Sequence, residues 1–325
     1  MTTTITRRSM LTLGASLAAS AALPFARAEA RAPLLGTQTP YFYRFGFGKA
    51  EVSVVSDGPL PLGDPSASFL GVPKEDVSAM LTSNFLDSKN VVLEQNIPIV
   101  NFGDRLVMFD TGMGTSKLFG NTTGRLSQSL KEAGIEAKDI DAIVCSHAHI
   151  DHIGGIVDAD NKPLFPNAEV WLSQADFDFW TDEGKSGGPL KDFIVHARKN
   201  LMPVRERIKF FKDGQEFLPG VQAISAPGHT VGHTVFMISS DGKTFCFMGD
   251  LTHHQVLLLE KPRMEFAYDT DPKQSAATRV RILDMLAAQR VPVMSYHFPW
   301  PGFGNVAKAG DGFRYYAEPM KMLRS

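Results

Sequence analysis

The sequence predicts a mixed α/β fold, and three observations carry that prediction. Short apolar runs alternate with segments of helical period along the chain. The composition, 43% hydrophobic and 21% charged, is that of a chain able to bury a core. No Pro/Ser-rich or charged linker divides residues 29–325, so they read as one large domain. In chain order, Glu51 to Ser56, Val91 to Asn101 and Leu106 to Asp110 read as strands. Arg125 to Ala133 sets Leu126, Leu130 and Ala133 on one helical face, and Gly134 stops that helix. Ile140 to Cys145 is apolar apart from Asp141 and reads as a buried strand. Ile208 to Phe211, Val221 to Ala226, Thr234 to Ile238 and Thr244 to Met248 follow as strands. Asp271-Pro272 then supplies an N-cap and a first-turn proline for a helix to about Arg290, with Val280, Leu283 and Ala287 expected inward.

Residues 1–28 form a separate segment. Thr6-Arg7-Arg8-Ser9-Met10-Leu11, the moderately apolar stretch to Leu23 and the small-residue site Ala26-Arg27-Ala28 read as a twin-arginine signal peptide. Its apolar part is too short, and too rich in Ala, Gly and Ser, to span a membrane. The expected partner of the precursor is the twin-arginine export machinery, and the expected destination is the bacterial periplasm. Cleavage would leave 30 basic against 35 acidic side chains, a net charge of −5. Such a surface lacks the basic footprint of a nucleic-acid or anionic-lipid partner, which leaves a small molecule as the expected partner, with a homodimer open as an assembly. Cys145 and Cys246 sit in apolar runs and read as buried small hydrophobes.

The densest chemistry lies in His147-Ala148-His149-Ile150-Asp151-His152, four metal-ligand side chains of two kinds within six residues. Imidazoles suit a borderline ion such as zinc, and a carboxylate adds charge and a hard oxygen, so the cluster points to one or two transition ions. Gly154-Gly155 follows, where backbone can approach closely.

This H-x-H-x-D-H run resembles the metallo-β-lactamase superfamily, and the other parts of that pattern follow in order: Pro227-Gly228-His229-Thr230, Phe247-Met248-Gly249-Asp250 and Ser295-Tyr296-His297, with Val107 to Gly112 upstream. The resemblance implies a four-layer αββα sandwich with metals at one edge. It implies one ion on His147, His149 and His229 and another on Asp151, His152 and His297, with Asp250 bridging. Two divalent ions are expected, zinc by default, with manganese, cobalt or iron admissible at one site. A bridging hydroxide would attack an electrophilic carbonyl carbon or phosphorus, and Asp151 would shuttle a proton toward the leaving group. Asp110 is the candidate outer carboxylate, and His233, His253 and His254 are weaker pocket or outer candidates. His196 reads as an ordinary helix residue.

Over nearly the whole length after residue 28 the chain also resembles the methyl parathion hydrolase branch, through Tyr41 to Arg44, Leu118-Phe119-Gly120, Ala175 to Trp180 and Phe298-Pro299 among others. That likeness implies activated esters, aryl esters or organophosphotriesters, as substrates, with Phe119 and Trp180 walling a pocket and Phe193 as a third wall, the alternative for these rings being ordinary core; His253, three residues after Asp250, is a separate candidate for lining the site. Lactone hydrolysis is the alternative enzyme reading. The superfamily's lactonases place an assisting Tyr between the first histidine motif and the third histidine, and this chain has no Tyr between Tyr43 and Tyr268. A non-catalytic metal-binding protein is disfavoured, because all seven ligand positions are filled.

Overall fold

The structure, a computed structural model, describes residue 34 and residues 41–321. The export segment read at residues 1–28 lies outside the described residues. Fourteen strands build two seven-stranded sheets in which the strands lie side by side in chain order. The first holds β1 (Phe42–Phe47), β2 (Ala50–Ser56), β3 (Asn96–Asn101), β4 (Leu106–Phe109), β5 (Ala142–Val144), β6 (Glu169–Ser173) and β7 (Ile208–Phe211). The second holds β8 (Glu216–Leu218), β9 (Val221–Ser225), β10 (Thr234–Ser240), β11 (Lys243–Phe247), β12 (Val293–Met294), β13 (Phe303–Ala309) and β14 (Gly312–Ala317).

The inner faces meet through rings. Phe109 lies 5.9 Å from Phe236 and 5.6 Å from Phe247, and Phe47 lies 4.9 Å from Phe245, centroid to centroid. All five are buried, and burying each such side chain contributes roughly 1.5–3 kcal/mol. Leu126 and Leu130 of the helix Leu126–Glu132, with Ile194, Ala197 and Leu201 of the helix Lys191–Leu201, join the core of the first sheet. Ile282, Leu283 and Leu286 of the helix Pro272–Gln289 pack with Val235, Cys246, Val293 and Phe313 of the second. Helices thus flank both sheets, which is the αββα order.

The sheets' direction places the site. β4 runs parallel to β5, and β11 runs parallel to β12, so the chain leaves each pair at one edge. Asp110, the His147–His152 run, Asp250 and His297 all follow those strand ends.

Two expectations need correction or refinement. Val91 to Asn101 is two strands, Val91–Leu93 and Asn96–Asn101, in different sheets. The break is used: the Glu94 carbonyl accepts from His297 Nδ1 at 2.8 Å, and Asn96 N donates to the Tyr296 carbonyl at 2.7 Å. The last helix begins where expected, with the Asp271 carboxylate accepting from Gln274 N at 2.9 Å, but its inward face is rotated. Leu283 is buried, whereas Val280 and Ala287 are only half-buried and the face centres on Ala276, Arg279, Ile282 and Leu286. An inward arginine defeats a purely hydrophobic count. Among the described residues no helix is long and apolar enough to cross a membrane, and both cysteines are buried and free.

Candidate metal centre

Seven side chains from four connections converge in two groups, His147, His149 and His229 in one and Asp151, His152, Asp250 and His297 in the other. Within each group the ligand atoms lie within 4.8 Å of one another, and all seven residues are buried. In the first group His149 Nδ1 is 3.0 Å and His147 Nε2 is 3.1 Å from His229 Nε2. One ion with ligand bonds of about 2 Å spans such separations. In the second, Asp151 Oδ2 lies 3.4 Å from both His152 Nε2 and His297 Nε2. Asp250 stands between the groups: Oδ2 is 3.2 Å from His229 Nε2 and from His152 Nε2, and Oδ1 is 3.3 Å from His297 Nε2. His152 Nε2 and Asp250 Oδ1 are buried without a hydrogen-bond partner. Buried polar atoms are normally satisfied, so these lone pairs, aimed at the interior of the cluster, fit two divalent ions.

Local backbone chemistry makes the convergence possible. A Cβ on Gly155 would sit 2.2 Å from the Thr111 carbonyl, so only glycine lets the turn after the histidines close on the strand end before it. Asp110 adopts φ 63°, a strained conformation for a side chain, and spends it on three hydrogen bonds. Its carboxylate accepts from Ser146 N at 2.7 Å, Ser146 Oγ at 2.8 Å and His152 Nδ1 at 2.8 Å. Most ligand rings are steered in this way. His229 Nδ1 donates to Asp269 at 2.8 Å, His297 Nδ1 donates to the Glu94 carbonyl, and His147 Nδ1 lies 3.0 Å from Ser146 Oγ. His149 is the exception, turned the other way round and packed between the rings of Trp180 at 4.9 Å and Phe193 at 5.0 Å.

Burial and charge act differently on different ligands, and His229 of the first group is pushed up to about 9 because Asp250 and Asp269 outweigh its burial. Burial, together with the neighbouring imidazoles, holds His147 and His149 well below the usual histidine range, so both stay neutral ligands. Burial works the same way on His152 and His297, but the carboxylates of Asp250 and Asp151 outweigh it and push both upward, His297 to about 9. Asp250 is held well below the carboxylate range against the effect of its burial, by His152, His297 and His253.

Several residues to which the sequence pattern gave no role build this edge. Asp176, fully buried, accepts from Ala148 N at 2.8 Å, Thr230 Oγ1 at 2.9 Å and Gly232 N at 2.6 Å, buckling the two histidine loops together. Tyr296 donates its hydroxyl to the Asp151 carbonyl at 2.5 Å. Arg279, buried under the cluster, donates to the carbonyls of Leu251, Pro262 and Met264 and lies 3.6 Å from Asp269. None of these is close in sequence to the group it supports, so only motif matching to a neighbour could have found them. Of the weaker candidates, His233 ties Ala226 to the backbone of Asp250, accepting from Asp250 N at 3.0 Å. His254 accepts from Val256 N and Leu257 N, and His196 sits half-buried on the helix Lys191–Leu201.

The cluster opens into a narrow cavity lined by Leu60, Leu62, Leu93, Phe119, Phe193 and Phe266 on the apolar side and by ligand residues, His253 and Tyr268 on the other. Phe119, Phe193 and His253 line it, and Trp180 does not. The helix Gln174–Thr181 turns Asp176, Phe177 and Trp180 inward together, leaving Trp180 1% exposed behind His149.

Residues 91–292 match a family described as the Metallo-beta-lactamase superfamily. AidC, a dizinc quorum-quenching lactonase solved with the product N-hexnoyl-L-homoserine, is similar over 86% of this chain and 98% of that one, at 32% identity and TM-score 0.81. The hydrolase AbOPH, in the beta lactamase superfamily, is similar over 88% and 100%, at 26% identity and TM-score 0.81. An N-acyl homoserine lactonase of Bacillus sp is 31% identical over 117 residues, 36% of this chain and 40% of that protein. The chain spans about half or less of the length of the first curated relatives it matches.

Proposed function

This chain belongs to the metallo-β-lactamase superfamily, and from that premise we propose that it is a dinuclear metal-dependent hydrolase whose substrate is a lactone or related carboxylic ester bearing an apolar group. The observation that carries this reading is the convergence of seven candidate ligands, five of which line a cavity whose far wall is aliphatic and aromatic. Two divalent ions held by those residues would supply a hydroxide nucleophile near neutral pH and polarise the oxygen that gains charge. Zinc is the expected ion, and the carboxylate-bearing group admits manganese, cobalt or iron.

The chain's own residues do the rest. Leu60, Leu62, Leu93, Phe119 and Phe193 orient the apolar group and exclude water from the acyl centre. Asp151, a cavity-lining carboxylate held ionised, accepts the proton released by the attacking water and returns it to the leaving oxygen. Asp250 keeps both ligand groups in register.

Two observations favour a lactone over an organophosphotriester. Trp180, one of three rings that an aryl leaving group would have used, is behind the cluster. The lactonase AidC resembles the chain at 32% identity over nearly its whole length. The aryl ester and organophosphotriester reading, with the methyl parathion hydrolase branch, is kept as the second, supported by Phe119 and Phe193 on the cavity wall. Measured kcat/KM values for hexanoyl-homoserine lactone, p-nitrophenyl acetate and a dimethyl aryl phosphotriester should fall in that order. A phosphotriester turned over faster than the lactone would reverse the two readings. The twin-arginine pattern of residues 1–28 supports a periplasmic enzyme, and recovery of all activity from the cytoplasmic fraction of a native host would remove that part.

A further inference from the structure

Four of the six apolar side chains on the cavity wall come from three segments that meet at one buried carboxylate, Asp57, to which neither the ligand pattern nor the pocket gives a role. Leu60 and Leu62 lie on the strand Leu60–Gly63, which begins three residues after it. Leu93 ends the strand Val91–Leu93, opposite Leu60. That strand is tied back by Asp57 N donating to the Gln95 carbonyl at 3.1 Å and by Gln95 Nε2 donating to the Gly58 carbonyl at 2.8 Å. Phe119 stands on the loop between Met113 and Gly124, and the Asp57 side chain holds both ends of that loop. Its Oδ2 accepts from Met113 N at 2.8 Å and from Gly124 N at 2.9 Å, and its Oδ1 accepts from Leu126 N at 2.8 Å. The loop is also pressed onto the turn that follows Asp57. Thr122 Oγ1 donates to the Pro59 carbonyl at 2.7 Å, and a Cβ on Gly58, whose φ is 99°, would sit 2.1 Å from the Thr122 carbonyl. Burial raises the Asp57 carboxyl to about 6 while the amides of Met113, Gly124 and Leu126 hold it down, so at neutral pH it is ionised and accepts on both oxygens.

We infer that Asp57 is a positioning residue that sets the acyl-chain specificity of the site by holding the Leu60, Leu93 and Phe119 segments as one wall. The inference rests on the hydrolase reading above and names the part of the substrate that this wall reads, an aliphatic acyl chain. Three of the four side chains it holds are leucines, whose branched methyls pack on an alkyl chain and remove it from water. The remaining apolar wall is carried elsewhere, Phe193 on the helix Lys191–Leu201 and Phe266 on the strand Glu265–Phe266. None of the hydrogen bonds described for Asp57 reaches a metal-ligand residue, whereas Asp110 holds His152 and Asp269 holds His229. Wall and ions are thus fastened to different carboxylates, and the wall can be loosened while the ions stay. Such a wall acts on substrate and transition state alike, so loosening it raises KM with the length of chain bound and leaves kcat near its wild-type value.

p-Nitrophenyl hexanoate and p-nitrophenyl acetate share a leaving group and a reaction and differ only in the acyl chain. In Asp57→Asn one acceptor oxygen becomes an NH2 group facing a backbone N–H, whichever way the amide is turned. Its kcat/KM on the hexanoate should fall on the order of tenfold, through KM, with less than about a twofold loss on the acetate. Trypsin cleavage after Lys117, exposed on the same loop, should become faster than in wild type, and metal content by elemental analysis should be unchanged. Thr122→Val removes only the tie to the Pro59 carbonyl from an exposed position, so it keeps the test open if Asp57→Asn does not fold. It should shift the hexanoate-to-acetate ratio in the same direction by a smaller factor. An unchanged ratio in both variants, or equal losses on the two esters, would overturn the specificity assigned to Asp57 alone, since wild type would still be hydrolysing both. A wild type that hydrolyses neither overturns the hydrolase reading and the role of Asp57 with it.

Discussion

The two ligand groups share Asp250 yet are built differently. His147, His149 and His229 form an all-imidazole group carried by two connections, whereas Asp151, His152 and His297 add a carboxylate and bring in the loop after β12. In the first group burial keeps His147 and His149 neutral. In the second, and at His229 of the first, carboxylates outweigh burial. The outer supports differ too: Asp110 and the Glu94 carbonyl brace rings of the second group, while the first relies on Asp269, Ser146 and, for His149, ring packing. The difference teaches that one edge can offer a soft and a harder metal environment at once, with the bridge as the common element.

The largest expected effect comes from removing what the groups share. Asp250→Ala should cost more than the roughly 10–100-fold associated with outer partners, and both ions should be lost together. Retention of two ions with near-native turnover would show that the groups are independent and Asp250 no bridge. Removing the outer carboxylates should then separate the groups. Asp110→Asn is expected to weaken one ion by about 10–100-fold and Asp269→Asn to weaken the other by a similar factor, seen as two different steps in a chelator titration followed by activity. Loss of the same step in both variants would erase the division. The smallest effect on chemistry should come from Trp180. Trp180→Ala is expected to lower stability by about 3–5 kcal/mol, as a core truncation does, while reducing kcat/KM on lactone, aryl ester and phosphotriester by the same factor. A selective loss on aryl substrates would return Trp180 to the pocket.

The ligands were legible because the strongest part of the pattern is local. His147 to His152 is contiguous, and the later ligands each follow an apolar strand, so order along the chain was enough. The supports were not legible, because Asp176 and Asp269 act on residues far away in sequence and carry no periodicity of their own. Arg279 shows the same limit from the other side. A charged residue on an inward helical face reads as an error in a hydrophobic pattern until the three carbonyls it satisfies are in view.

By itself the sequence determined that the chain is α/β, where most strands lie and, through the superfamily pattern, which seven side chains are the candidate metal ligands, since strand period and a six-residue run are properties of neighbours along the chain. Tertiary structure alone decided which rings wall the cavity. Phe119 and Phe193 reach it and Trp180 does not, because a helix rotation of one residue turns a side chain by about 100° and is set by packing against the sheet. It also placed Tyr268 on the wall of the same cavity as Asp151, 117 positions away in sequence, through the hydrogen bonds that tie its segment to His229. Such a placement follows from how two sheets and their loops close together, and nothing in the local spacing of either residue contains it.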